Sequence, residues 1–109
     1  MRKEVKKQLN DMIEILSKDK IIVKIYLFGS QAKDTFNDNS DIDIAIIVKD
    51  DTKERNEILA GRYYFELFDV IKKEIDLLVF HESDFNKQKS NNFLISSKIN
   101  KEGVVLYGQ

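Results

Sequence analysis

The chain has no cysteine, no proline and no tryptophan, and only four glycines and one histidine. Without cysteine there is no disulfide, no cysteine-based zinc site and no thiol nucleophile. Without proline, breaks between elements must be read from clusters of Gly, Asn, Asp and Ser. No charge sign dominates, since 18 basic side chains face 19 acidic ones for a net charge of -1. That balance argues against binding nucleic acid through bulk electrostatics, so nucleic acid is not expected as a direct partner. Long apolar runs are missing too. Ile44 to Val48 falls far short of the roughly 20 residues a membrane helix needs. Met1-Arg2-Lys3-Glu4 opens a charged amphipathic stretch without the apolar segment of a signal peptide. The expected location is the cytoplasm, with no membrane partner.

What remains is an ordinary core supply under a charged surface: 42% hydrophobic and 34% charged residues. A chain of 109 residues has room for one domain, taken as residues 1–109. No repeat or low-complexity tract interrupts it. Val5, Leu9, Met12, Ile13 and Leu16 recur at helical spacing and predict an amphipathic helix over 3–18. Ile21 to Phe28, apolar and β-branched apart from Lys24, reads as a buried strand. Gly29-Ser30 ends it, with a short helix opening at Ser30. Asn37-Asp38-Asn39-Ser40 is loop chemistry within 36–40. Asp41 to Val48 predicts a second strand and Ile75 to Phe80 a third. Between them, Asp50 or Thr52 could cap a helix running to about Lys72, with Leu59, Tyr63, Leu67 and Val70 inward. Ser83 could cap a further helix. Phe93, Leu94 and Ile99 read as later apolar contacts. Gly103 precedes a short last strand, Val104 to Leu106. Alternating strands and helices imply an α/β (α+β) class with a small mixed sheet flanked by helices.

The informative stretch is Gly29-Ser30, ten residues, then Asp41-Ile42-Asp43. Residues two apart in a strand share a face. Asp41 and Asp43 therefore project together with Ala45 beyond them, while Ile42, Ile44, Ile46 and Val48 face the core. Paired carboxylates near a core repel, and a divalent cation offsets that cost. Magnesium typically takes one or two carboxylates and completes its shell with substrate phosphates. Gly29 permits a sharp turn and close approach of a phosphate. Ser30 at a helix start offers a hydroxyl and neighbouring N–H groups, and Lys33 a positive charge. Asp76 opens the third strand. If that strand neighbours the second, Asp76 reaches the same pocket, as a metal ligand or as a general base. Glu74 would share its face and is the reserve. Catalysis at such a site rests on positioning and charge neutralisation.

These residues carry a resemblance. Leu27-Phe28-Gly29-Ser30-Gln31-Ala32-Lys33, Ser40-Asp41-Ile42-Asp43-Ile44-Ala45, Glu74-Ile75-Asp76-Leu77 and the ending Ile99 to Tyr107 resemble the minimal nucleotidyltransferases of the DNA polymerase β-like superfamily, over roughly residues 20–107. The resemblance implies an NTP substrate, ATP or another, with Asp41, Asp43 and Asp76 as metal-binding and catalytic carboxylates. It also implies one or two Mg2+ ions, and Gly29 and Ser30 as phosphate contacts. Two positions differ from the pattern: many members have arginine at Gln31 and glycine at Asp34. Short members of the family are often antitoxins that AMPylate a tyrosine of a helical HEPN toxin. That implies a HEPN-domain protein as partner and acceptor. Two other functions stay open: a binding module that neutralises its partner by contact, and a transferase acting on a small aminoglycoside-like molecule. A homo-oligomer is also open.

Other features have plainer readings. His81 reads as a surface or satisfied residue. Tyr63-Tyr64-Phe65 reads as core plus partner surface. Scattered lysines such as Lys6 and Lys7 read as solvated faces. A calcium loop starting at Asn37 fails, because its sixth position is Ile42 and its twelfth Val48.

Overall fold

The computed structural model describes residues 3–29, 41–71 and 74–108. Helix α1 spans Lys3–Leu16 and strand β1 Ile22–Phe28. Strand β2 spans Ile42–Val48, α2 Asn56–Leu67, β3 Ile75–His81, α3 Glu82–Gln88, α4 Ile95–Glu102 and β4 Val104–Tyr107. One four-stranded sheet has the order β3-β2-β1-β4. β1 pairs antiparallel with β2 and β4, while β2 and β3 run parallel. A parallel pair needs a crossover, and α2 provides it. The mixed sheet flanked by helices is the fold class the alternation of elements predicts.

Strand periodicity divides the interior. Ile25, Leu27, Ile42, Ile44, Ile46, Val48, Ile75 and Val79 join Leu9, Met12 and Leu16 of α1 and Leu59, Tyr63 and Leu67 of α2 in the larger core. The opposite sheet face puts Tyr26, Ala45 and Ile47 against Phe85 of α3 and Ile99 of α4. Ile22 and Ile25 both enter the larger core although they are three apart. A register shift between Ile22 and Lys24 accounts for this, since a bulge changes which face a side chain meets.

Several boundaries differ from the sequence reading. Neither Asp50 nor Thr52 caps α2, whose N-cap is Arg55 with no side-chain hydrogen bond. Asp50 is used elsewhere: its Oδ1 accepts the Ser83 N–H at 2.8 Å. That bond, the largest cause, holds the Asp50 carboxyl below its ordinary pKa. Ser83 therefore lies inside α3 as the capped residue, and Asp50 fills the role of its cap from across the fold. α2 ends at Leu67, where the Val70 and Ile71 N–H groups turn back to the Leu67 carbonyl. Lys72 lies outside the described residues, as do the loop 36–40 and the Val5 side chain. β3 extends one residue to His81 and β4 one residue to Tyr107. Phe93 and Leu94 do not join the core: Phe93 is 97% exposed and Leu94 40%. Asn91 Oδ1 accepts the Phe93 N–H and the Asn91 carbonyl accepts that of Leu94, a turn that carries the ring outward.

Tyr63 is fully buried, and its hydroxyl donates to Asp19 Oδ2 at 2.8 Å. Asp19 Oδ1 accepts the Ile21 N–H, so one carboxylate ties α2 to the turn that launches β1. Burial, followed by the Asp19 hydrogen bond, pushes the Tyr63 pKa up. Tyr63→Phe is expected to lower stability by about 1–2 kcal/mol, the cost of leaving a half-buried acceptor unmatched. Urea denaturation followed by circular dichroism checks it. An unchanged midpoint would show that the bond contributes nothing net.

Candidate active site

Backbone register builds the site. Antiparallel pairing sets Phe28 opposite Asp43, and parallel pairing sets Asp43 beside Asp76. The Ile42 N–H donates to the Glu74 carbonyl at 2.9 Å, which fixes that register where the two strands begin. Three neighbouring strands thus deliver the end of β1 and two carboxylates to one edge, on the face that carries α3 and α4.

Gly29 completes that edge. Its φ is +73°, a left-handed conformation that L side chains rarely adopt. A Cβ there would also collide with Asp43 Oδ2. Glycine is required twice at this position, for the turn and for the approach of the carboxylate to the backbone. Together Phe28, Gly29, Asp43 and Asp76 line a cavity of about 430 Å3. Leu77, Leu78, Ile95 and Lys98 complete it. That size lies within the range of small-molecule sites, and the mix of apolar walls with few polar groups is usual for them.

The electrostatics of the acids are unfavourable. Burial, then the hydrogen bond and charge of Asp76, then the charge of Asp41, raise the Asp43 pKa from 3.8 to about 6. Two carboxylates in contact cannot both stay ionised cheaply unless a cation joins them. Their oxygens are the hard donors that magnesium prefers, and Gly29 leaves open the space that a side chain would fill. The residues present fit a divalent ion that also takes oxygen from phosphates.

The sequence candidates are placed unequally. Gly29, Asp43 and Asp76 come together. Asp41 precedes β2, is exposed and does not line the cavity, although its charge reaches Asp43. Glu74 is exposed, just ahead of β3, and does not line it either. Among the described residues no group of three or more Asp, Glu or His is gathered as a ready-made metal site. Ser30, Gln31, Lys33 and Asp34 lie outside the described residues. His81 is a tie between segments: its Nε2 lies 2.8 Å from the Thr52 carbonyl oxygen and its Nδ1 2.7 Å from Asn56 Oδ1. Sequence reasoning missed Ile95 and Lys98. Their i, i+3 spacing was the available signal, but nothing local marked that helix face as part of a site.

Comparison with known proteins bears on family and fold. The family model "Polymerase beta, Nucleotidyltransferase" matches residues 10–109. Among solved structures, a toxin–antitoxin complex with AMP-PNP is 26% identical, with 93% of this chain and 73% of that chain covered and a TM-score of 0.68. A tri-AMPylated HEPN toxin in complex with its MNT antitoxin, from Shewanella oneidensis, matches at 23% identity and TM-score 0.63, over 95% of this chain and 72% of that one. A nucleotidyltransferase candidate from Sulfolobus solfataricus matches at 20% identity and TM-score 0.60, over 94% and 79%. No curated protein matches the chain.

The raised Asp43 pKa has a signed consequence for stability. The folded state holds the Asp43 proton more tightly than the unfolded chain does. Stability from this group is therefore gained as pH falls from above about 6 toward 3.8, and lost as pH rises through about 6. Allowing for partial exposure to solvent, the effect is on the order of 1–2 kcal/mol. Asp43→Asn should flatten that pH slope and raise the melting temperature at pH 7.5. Magnesium should raise the wild-type melting temperature at pH 7.5 and leave the variant unmoved. Equal pH slopes for the two proteins would contradict the assignment.

Proposed function

The chain belongs to the polymerase β nucleotidyltransferase family, and from that premise we propose that it transfers AMP from ATP to a hydroxyl of a HEPN toxin and so acts as its antitoxin. The observation that carries the reading is the Asp43–Asp76 contact across parallel strands, against a glycine with no room for a side chain. A like-charge pair of this kind is unfavourable alone and becomes useful once cation and phosphates are bound.

Asp43 and Asp76 would hold the magnesium, with Asp41 contributing from the entry to β2. Bound there, magnesium supplies neutralisation of phosphate charge. The Gly29 backbone lets the phosphates approach. The Ser30 hydroxyl and the Lys33 ammonium, read from sequence alone, would grip them. An acceptor hydroxyl oxygen forms a new bond to the α-phosphorus. The bond from that phosphorus to the bridging oxygen breaks, and pyrophosphate leaves with the electron pair. Asp76 takes the acceptor proton on a carboxylate oxygen. The chain's part is to align nucleophile and leaving group and to neutralise charge.

A protein acceptor is supported from two sides. Relatives of similar fold occur in toxin–antitoxin complexes, one with a tri-AMPylated HEPN toxin. The chain also keeps apolar surface in the open: on α2 and just beyond it, Ile58 is 52%, Phe65 83% and Phe68 66% exposed. Large apolar side chains left exposed along one helix are common at protein contacts. The Tyr63-Tyr64-Phe65 run splits as core plus surface, with Tyr63 buried and Tyr64 and Phe65 exposed. Among the described residues no helix is long and apolar enough to cross a membrane.

The test is to incubate the chain with ATP, magnesium and a HEPN protein encoded beside it, then read the toxin by mass spectrometry. The wild type should add AMP to a hydroxyl side chain. Asp43→Asn and Asp76→Asn should each slow that addition by about 10²–10⁴-fold. Loss of transfer with undiminished silencing of the toxin would replace this reading by neutralisation through contact alone.

A further inference from the structure

Helix α4 contributes a wall to the cavity that holds the carboxylates, and its packing fixes its position. Ile99 is fully buried in the smaller core. Ser96 and Ser97 are buried on the same helix. The Ser96 hydroxyl donates to Gln88 Oε1 at 3.0 Å, which joins α4 to α3. At the other end the Gly103 N–H donates to the Ile99 carbonyl at 2.8 Å. A Cβ on Gly103 would collide with that carbonyl and crowd the Leu27 carbonyl of β1. Glycine there lets the helix end close against the strand that carries Gly29. With those contacts made, Ile95 and Lys98, three apart and so on one helix face, line the cavity that holds Asp43 and Asp76.

Lys98 is the one cation among the described residues lining that cavity. It is exposed, and among the described residues no ion pair engages it. The charge balance gives this cation a role. Asp43, Asp76 and one divalent ion sum to zero, and Asp41 adds a further negative charge nearby, so the negative charge of a triphosphate arrives without a counter-charge from the acidic wall. A lysine on a flexible four-carbon stem is a point charge suited to phosphate. From sequence, the loop after Gly29 carries Gln31 and Asp34, which adds an anion and no cation at those two positions.

Resting on the nucleotidyltransferase reading, we infer that Lys98 of α4 binds the polyphosphate of the nucleotide from the wall facing Asp43 and Asp76. The reacting phosphates then lie between the metal-holding acids of the sheet and the ammonium of α4, with Ile95 supplying apolar contact one turn away. Lys98 touches substrate and takes no proton in the transfer. Its contribution falls on nucleotide affinity and on holding the departing pyrophosphate.

Calorimetry of the intact chain with magnesium and a non-hydrolysable ATP analogue, and separately with inorganic tripolyphosphate, tests this. Lys98→Ala should weaken both ligands by about tenfold to a hundredfold, as expected for a lost charge-assisted contact. Lys98→Arg should keep most of the affinity. The wild-type dependence on salt should be steeper than that of Lys98→Ala. The melting temperature should not change, because among the described residues Lys98 has no internal ion-pair partner to lose. An alanine variant that binds the analogue within twofold of wild type overturns the role of Lys98 and leaves the nucleotidyltransferase reading standing. A wild type that binds neither ligand in magnesium overturns both.

Discussion

The parallel pairing of β2 with β3 is the constraint on which the rest depends. It sets Asp43 beside Asp76, residue against residue, at the open end of both strands. Parallel strands cannot be joined by a tight turn, so the chain must spend α2 on the crossover. That crossover is where much of the larger core comes from: Leu59, Tyr63 and Leu67 cover the sheet face opposite the acids. The topology that brings two like charges together thus also builds the packing that offsets their repulsion.

The sheet divides its work by face. Ile42, Ile44, Ile46 and Val48 point into the larger core, while Asp43, Ala45 and Ile47 point the other way. Alternation along one strand therefore supplies stability and chemistry from adjacent residues. Ala45, buried beyond Asp43, keeps that face low, and Tyr26 and Phe85 stack in the smaller core beside it with ring centroids 5.6 Å apart. A one-residue slip of β2 would exchange the two faces, burying carboxylates in the larger core and emptying the site. Burial of the isoleucines and placement of the acids are one constraint expressed on two sides.

This coupling explains which features were legible in the sequence. The strands and the shared edge of Gly29, Asp43 and Asp76 follow from period-two alternation and a glycine turn, both local signals. The joint between β2 and β3 was conditional on their being neighbours, and the β2–β3 register meets that condition. Features set by contacts distant in sequence were not legible. Asp50 has the chemistry of a cap for the helix that follows it, yet it caps α3 across the fold. Phe93 has the chemistry of core, yet the Asn91 turn directs it outward. Lys98 resembles any solvated lysine until Ile99 and Gly103 seat its helix against β1.

Two glycines act near the end of β1, one toward β2 and one toward α4. Gly29 removes a side chain so that Asp43 can approach the turn after β1. Gly103 removes one so that the end of α4 can approach β1 itself. Each brings one wall of the cavity inward, the acidic wall in the first case and the wall of Ile95 and Lys98 in the second. Close approach of the turn at Gly29 partly withdraws Asp43 from water, and interactions between charges strengthen as water is displaced. The same tightening raises the cost of an unpaired Asp43, already visible in its raised pKa. A site built this way is least favourable when nothing is bound. On the proposed reading, binding of a cation and polyphosphate would relieve that cost, which would tie affinity for the charged ligand to the strand register that created the need for it.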